Sequence, residues 1–236
     1  MMKSLSLDQI KKLHQKKYRT EYQTVLVEGE HLLSELEKSE FTDCEILHTS
    51  KFRPISRFKT RLIDEKQFNK ISDVPSPQGI AALIPQNNFE IESEDNILFL
   101  DEIQDPGNLG TIIRTLAWFG GFQIYLSKGS VDPFNSKVIR SSMGAIYHVP
   151  IKQHVEIETI LNSDKSIGYL DLGGDSISSE SFETHDCYIF GNEARGISSK
   201  VKAHLNSKAY TIGGNGILES LNLATAVNIA VYEINR

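Results

Sequence analysis

The sequence predicts an α/β protein in two parts. A small α/β domain is expected over residues 1–88, and a larger one over 94–236, built on a mostly parallel sheet with helices on both faces. Three observations predict this. Short β-rich apolar runs alternate with stretches of helical period along the whole chain. A polar, acidic stretch without a convincing element, PQNNFEIESEDN at 85–96, divides the alternation in two. Gly, Asn and acidic residues recur just after the apolar runs of the second part, the edge of a parallel sheet where ligands bind.

In the first part, Ser6 and Gln9 have capping-box spacing, and Leu7, Ile10 and Leu13 recur at a helical period, which predicts a helix over 6–18. TVLVE (24–28) reads as a strand broken by Gly29, and the run from His31 as a helix. CEILH (44–48) reads as a strand, the stretch around Glu65–Lys70 as a short helix and GIAALI (79–84) as another strand.

In the second part, ILFLD (97–101) reads as a buried strand, DPGNLG as a loop and Thr111 to Phe119 as a helix ended by Gly120-Gly121. FQIYL (122–126), IGYLD (167–171), CYIF (187–190) and YTI (210–212) read as strands, and 135–145 as a helix. Residues 220–234 form the last helix, with Leu221, Ala224, Val227, Val231 and Ile234 on one face and Ser220 as its N-cap.

Composition is that of an ordinary globular chain, 39% hydrophobic and 24% charged. No apolar run approaches the ~20 residues of a membrane span, and the N-terminus lacks the apolar core of a signal peptide. The two cysteines, Cys44 and Cys187, sit in no CxxC pair and there is no HExxH, so neither a disulfide framework nor a metal site is expected, and a cytoplasmic setting is.

The net charge of −6 hides an asymmetry: residues 1–88 carry 14 Lys and Arg against 12 Asp and Glu, and the rest 11 against 19. Two cation clusters stand out. Lys16, Lys17 and Arg19 belong to one near the N-terminus. Lys51, Arg53, Arg57, Lys59 and Arg61 form another, interleaved with Phe52 and Phe58. Cations with aromatics suit a phosphate backbone and unstacked bases; the same pattern also reads as a solvated face over a few core aromatics.

Four loops of the second part, DPGNLG, LGGD, GNEARG and GGNGILESLN, would converge on one sheet edge to form a pocket, although Gly and Asn are also common in plain βα turns. The GxGxxG and GxxxxGK[ST] signatures are missing, which disfavours a dinucleotide enzyme and a P-loop NTPase.

At this level the residues resemble a family. LDEIQDPGNLGTIIRTLAWFGG (100–121), IFGNEARGIS (189–198) and IGGNGILESLNLATAVNIAVYE (212–233) resemble, in order and spacing, the three motifs of the SpoU/TrmH methyltransferases. KVIRSSMGAIYHVPI (137–151) matches the run between motifs, and KKYRTEYQTVLVEGEHLL (16–33) with PSPQGIAALI (75–84) resembles the substrate-binding domain often fused to them.

The resemblance implies methyl transfer from S-adenosylmethionine to a ribose 2′-hydroxyl of RNA, ribosomal more readily than transfer RNA, by a homodimer whose C-terminal segment threads a trefoil knot. A non-catalytic RNA-binding or ribosome-assembly protein that keeps the fold is the alternative. By the same resemblance Asn108, Arg114, Glu193, Ser220 and Asn222 are the catalytic candidates, and Gly191, Gly196, Ile212 and Leu221 the cofactor contacts. The cations of the first domain are the RNA candidates. The third motif departs from the family in reading Ile212-Gly213-Gly214 where Ile-Pro-apolar is common, so a more flexible loop is expected there.

Overall fold

The structure is a computed structural model, and residues 4–52, 57–204 and 207–236 are described. In chain order the first elements are α1 (Leu7–Lys12), α2 (Lys16–Tyr22), β1 (Thr24–Glu28), α3 (Glu30–Lys38), β2 (Glu45–His48), β3 (Lys59–Leu62), α4 (Glu65–Ile71) and β4 (Ile80–Pro85). After them come β5 (Asn96–Leu100), α5 (Pro106–Phe119), β6 (Phe122–Ser127), α6 (Ser136–Ser142), β7 (Ile151–Val155), α7 (Ile157–Leu161), β8 (Ile167–Ser176), β9 (Cys187–Phe190), α8 (Ser199–Lys202), β10 (Ser207–Thr211) and α9 (Leu223–Ile234). Short 3₁₀ turns occupy Gln86–Phe89, Ala145–Tyr147 and Glu180–Thr184.

The chain divides into two compact units, Met1–Glu90 with Asp132–His148, and Ile91–Val131 with Val149–Arg236. In the first, a four-stranded sheet runs β1-β4-β2-β3, antiparallel except for the β2–β3 pair. Its core gathers Ile10, Leu13, Leu26, Leu47, Phe68, Ile71 and Leu83. The Ser6–Gln9 capping box is present, but the helix expected over 6–18 is two helices. The Arg19 guanidinium takes the Leu13 carbonyl at 2.7 Å, the acceptor a continuous helix would have given to the amide of residue 17. The basic run hides an edge strand, β3, whose charges suit an unpaired edge.

Phe89, inside the expected linker, is buried against Phe41 (ring centroids 4.9 Å apart) and Phe134 (4.7 Å). Tyr147 packs on Phe41 at 5.4 Å. Phe134 and Tyr147 come from the Asp132–His148 segment, which is how that stretch joins the first unit.

The second unit carries a six-stranded sheet ordered β10-β8-β9-β5-β6-β7 with every neighbouring pair parallel. Three expectations change here. DPGNLG is not a free loop: Asp105 caps α5 by accepting the Asn108 amide at 2.8 Å, and Pro106 opens the helix, the favoured chemistry of a helix start. LGGD lies inside β8 rather than after it. A side chain at Gly174 would meet the backbone of Ala209 and Tyr210, so only glycine lets β10 approach this closely. Third, α9 starts at Leu223 and its cap is Asn222, whose side chain accepts the Thr225 amide at 3.3 Å; Ser220 stands outside the helix and caps nothing. An Asn two residues nearer the helical run wins the capping position.

Candidate active site

A cavity of about 680 Å³ opens in the second unit, lined by residues 170–172, 190–197, 210–212 and 219–223 with Ala226. Residues 190–197 and 210–212 end or follow β9 and β10, 219–223 lead into α9, and 170–172 lie within β8 just past its last pairing with β9 at Tyr169, so the cavity sits at the carboxyl-end side of the paired parallel strands, where the fold places ligands. Gly191, Gly196, Ile212 and Leu221 all line it, as do Glu193, Ser220 and Asn222.

The loop after β9 is closed on itself. Asn192 and Gly196 form an isolated bridge, with the Gly196 amide donating to the Asn192 carbonyl at 2.8 Å. The Asn192 side-chain oxygen accepts the amides of Ala194 (2.9 Å) and Arg195 (3.1 Å). A Cβ on Gly191 would fall on the backbone of Gly196 and Ile197, so glycine is needed for the loop to fold over its own start. Gly196 adopts φ +65°.

Asn108 and Arg114 are not in the cavity wall. Asn108, in the first turn of α5, reaches its rim through two side-chain contacts: its Nδ2 donates to Glu193 Oε1 at 3.4 Å, and its Oδ1 accepts from Asn222 Nδ2 at 3.0 Å. One residue from each of three motifs thereby meets at one point. Asn222 does two jobs, since its oxygen caps α9 while its nitrogen orients Asn108. Arg114 is exposed on α5 and has no hydrogen bond or ion pair among the described residues. Its neighbour Thr115 donates to Asn228 on α9 at 2.6 Å, fixing α5 against α9.

Several residues of this region were not among the site residues expected from sequence. Asp171 and Glu219 add acid to the cavity wall, and Lys202 pairs with Asp171 at 2.5 Å, a hydrogen bond that raises the lysine's pKa. Tyr210 is fully buried, with its hydroxyl bonded to His185 at 2.8 Å and to Ser181 at 3.1 Å. Burial, and then the Lys208 charge, hold His185 below its ordinary pKa. Arg195, in the β9 loop, pairs with Glu102 at the end of β5. Arg195 and Glu219 lie in the GNEARG and GGNGILESLN loops, the signal that could have found them; the others stand outside the loops that sequence singled out.

The expected RNA cations separate into two groups. Arg19 is buried and bound to Asp132 at 2.6 Å, so it does not face solvent. Arg57 donates to the carbonyls of Glu37, Ser39 and Phe41. Arg61 donates to Leu5 and Glu45, Lys59 lies 3.7 Å from Glu45 and Lys51 pairs with Glu65 at 2.9 Å. Arg53 lies outside the described residues. Lys16 and Lys17, with Lys11 and Lys12, are exposed on α1 and α2 and have no carboxylate partner among the described residues. The Nζ atoms of Lys12 and Lys17 stand 5.2 and 5.6 Å from the Tyr18 ring.

Comparison with known proteins gives two family matches along the chain. The profile described as the SpoU rRNA Methylase family matches residues 95–232, and an MRM3-like substrate binding domain matches residues 6–82. The chain is 33% identical, over 95% of its length and 93% of the relative's, to 23S rRNA (guanosine(2553)-2′-O)-methyltransferase RlmP of Bacillus subtilis. Among solved structures, one described as an RNA methyltransferase of the TrmH family from Porphyromonas gingivalis superposes with a TM-score of 0.85 at 30% identity, covering 100% of this chain and 98% of that one. The AdoMet-bound rRNA methyltransferase of Sinorhizobium meliloti shares the fold, with a TM-score of 0.81 at 24% identity over 97% of this chain and 93% of that one.

Proposed function

The chain belongs to the SpoU rRNA Methylase family, and from that premise we propose that it transfers a methyl group from S-adenosylmethionine to a ribose 2′-hydroxyl of RNA, ribosomal rather than transfer RNA. The observation that carries this is the meeting of Asn108, Glu193 and Asn222 at the rim of the cavity lined by Gly191, Gly196, Ile212 and Leu221. Support for a ribosomal substrate comes from the relative that covers nearly the whole chain, named for 23S rRNA.

The cavity fits the cofactor. Its volume of about 680 Å³ lies within the range of small-molecule sites, Gly191 and Gly196 leave backbone open in its wall, and Asp171, Glu193 and Glu219 outnumber Arg195 there, a negative setting for a cation. S-adenosylmethionine supplies, when bound, a methyl carbon activated by its sulfonium. Gly191, Gly196, Ile212 and Leu221 hold adenine and ribose through backbone N–H and C=O groups. Asn108, oriented by Asn222, and Glu193 hold the substrate ribose so that its oxygen stands in line for the displacement. Ser220 contributes its hydroxyl from the cavity wall. Arg114 binds an RNA phosphate and stabilises developing charge; a guanidinium that keeps its proton to a pKa above ~12 is a poor base.

The first domain, 1–88, binds RNA, and the exposed lysines of α1 and α2 support a contact on those helices. The protein works in the cytoplasm as a homodimer whose C-terminal segment is knotted, as in the family. No described helix is long and apolar enough to cross a membrane. Exposed Trp118 (85%), Tyr232 (55%) and Ile229 (37%) on α5 and α9 offer the apolar face a dimer needs. The test is calorimetry with S-adenosylmethionine, expected to give a micromolar dissociation constant, about −8 kcal/mol, together with a ribose-methylation map of ribosomal RNA from cells with and without the gene. Absence of binding, with and without RNA, leaves the non-catalytic alternative standing.

A further inference from the structure

Glu102 holds an unusual place. It stands two residues beyond β5, and its backbone is left-handed, with φ 51°, a conformation that side chains other than glycine adopt at a cost and that gathers at functional sites. Its backbone is fully used. The amide donates to Ser127 Oγ at the end of β6 (2.7 Å), and the carbonyl accepts from Gln104 (3.1 Å) and from Asn192 Nδ2 beyond β9 (3.0 Å). One residue thus ties the ends of three neighbouring strands. Its side chain then pairs with Arg195 of the β9 loop.

The loop's other restraints are local: Asn192 to Ala194, Arg195 and Gly196. They shape the turn; beyond the weak 3.4 Å contact of Glu193 with Asn108, its position over the sheet edge rests on two links, Asn192 to the Glu102 carbonyl and Arg195 to the Glu102 carboxylate. Glu193, between the two anchored residues, then faces Asn108. An ion pair with side chains 66% and 40% exposed adds little to global stability, so stability does not account for a strained residue at the hub.

We propose that Glu102 and Arg195 are a positioning pair, which sets the β9 loop over the cofactor cavity and thereby aims Glu193 at Asn108. The proposal rests on the methyl-transfer reading for its kinetic consequence, but its structural half stands without it. Neither residue touches the reacting atoms; both act through the loop.

The test is a double-mutant cycle in the full-length protein with Arg195→Met, Glu102→Gln and the pair, and Arg195→Lys as the conservative variant. Hydrogen exchange of the unliganded protein is expected to speed up at Ala194 to Gly196 by the same factor in both single variants and in the double, with the melting temperature unchanged. S-adenosylmethionine affinity is expected to weaken about threefold to fivefold. The rate constant of transfer should fall about tenfold or more, with Arg195→Lys recovering most of both. Unchanged exchange in both single variants overturns the proposal, as does additivity of the two effects. Loss of RNA affinity in Arg195→Met with no loss in Glu102→Gln overturns it too, since it makes Arg195 a phosphate contact. A wild-type protein that binds no cofactor would sink the methyl-transfer reading instead, and the exchange arm would still decide the pair's role.

Discussion

Asn222 shows how much one side chain can carry. Its oxygen caps α9 and its nitrogen orients Asn108, so the two duties can be separated by chemistry. Aspartate keeps the acceptor and removes the donor. Asn222→Asp should hold stability within about 0.5 kcal/mol, because both residues cap well, while transfer falls about tenfold or more. Thermal melts beside single-turnover rates check this; a parallel loss of both would make Asn222 only a cap. His185 gives a second expectation. Burial lowers its pKa from 6.5, so the unfolded chain takes up the proton first as pH falls through that value. Stability should therefore decline as pH falls below about 6.5 toward the folded-state pKa, and that decline should shrink in His185→Gln. Which residues line the cavity was legible in the sequence, because Gly191, Glu193, Ile212 and Asn222 sit in motifs of fixed local spacing. Their long-range partners were not legible. Glu102 and Arg195 are 93 positions apart, and no local pattern links them.

Among the elements, strands were read well where apolar runs are continuous, as in β1 and β9, and missed where the run is charged. β3 was invisible because an edge strand needs no apolar face. The same charge pattern suggested RNA contacts at Arg57 and Arg61, whose actual acceptors, carbonyls and a glutamate from other elements, leave no mark in sequence. The consequence is measurable. Reversing Lys12 and Lys17 on α1 and α2 should weaken RNA binding and lower the salt slope by about one unit for each phosphate no longer neutralised. Reversing Lys51 and Lys59 should change that slope less; equal effects would return the RNA interface to the second cluster. The close approach of β10 to β8 at Gly174 gives another expectation. Gly174→Ala drives a methyl group into the backbone of Tyr210 and should destabilise by about 1–3 kcal/mol in denaturant titration.

At the scale of the molecule, the structure forms two compact units, and the discontinuity of the first was not legible, because Phe134 and Tyr147 lie among residues that continue the second part in sequence. Arg19 is the polar counterpart of that aromatic cluster, with the Arg19–Asp132 side chains 4% and 11% exposed. Arg19→Met should cost about 3–5 kcal/mol by stranding a buried carboxylate, seen as faster hydrogen exchange over 132–148. The discontinuity also bears on how the protein is made. Domains commonly fold in order as they leave the ribosome. Here the first 90 residues emerge with Phe41 and Phe89 lacking their aromatic partners Phe134 and Tyr147 until the chain through His148 has followed. Nascent chains stalled near residue 120 should be cut readily by protease within the first unit, and chains long enough to release His148 should resist. The first unit to be synthesised is then completed only after much of the second has already been made.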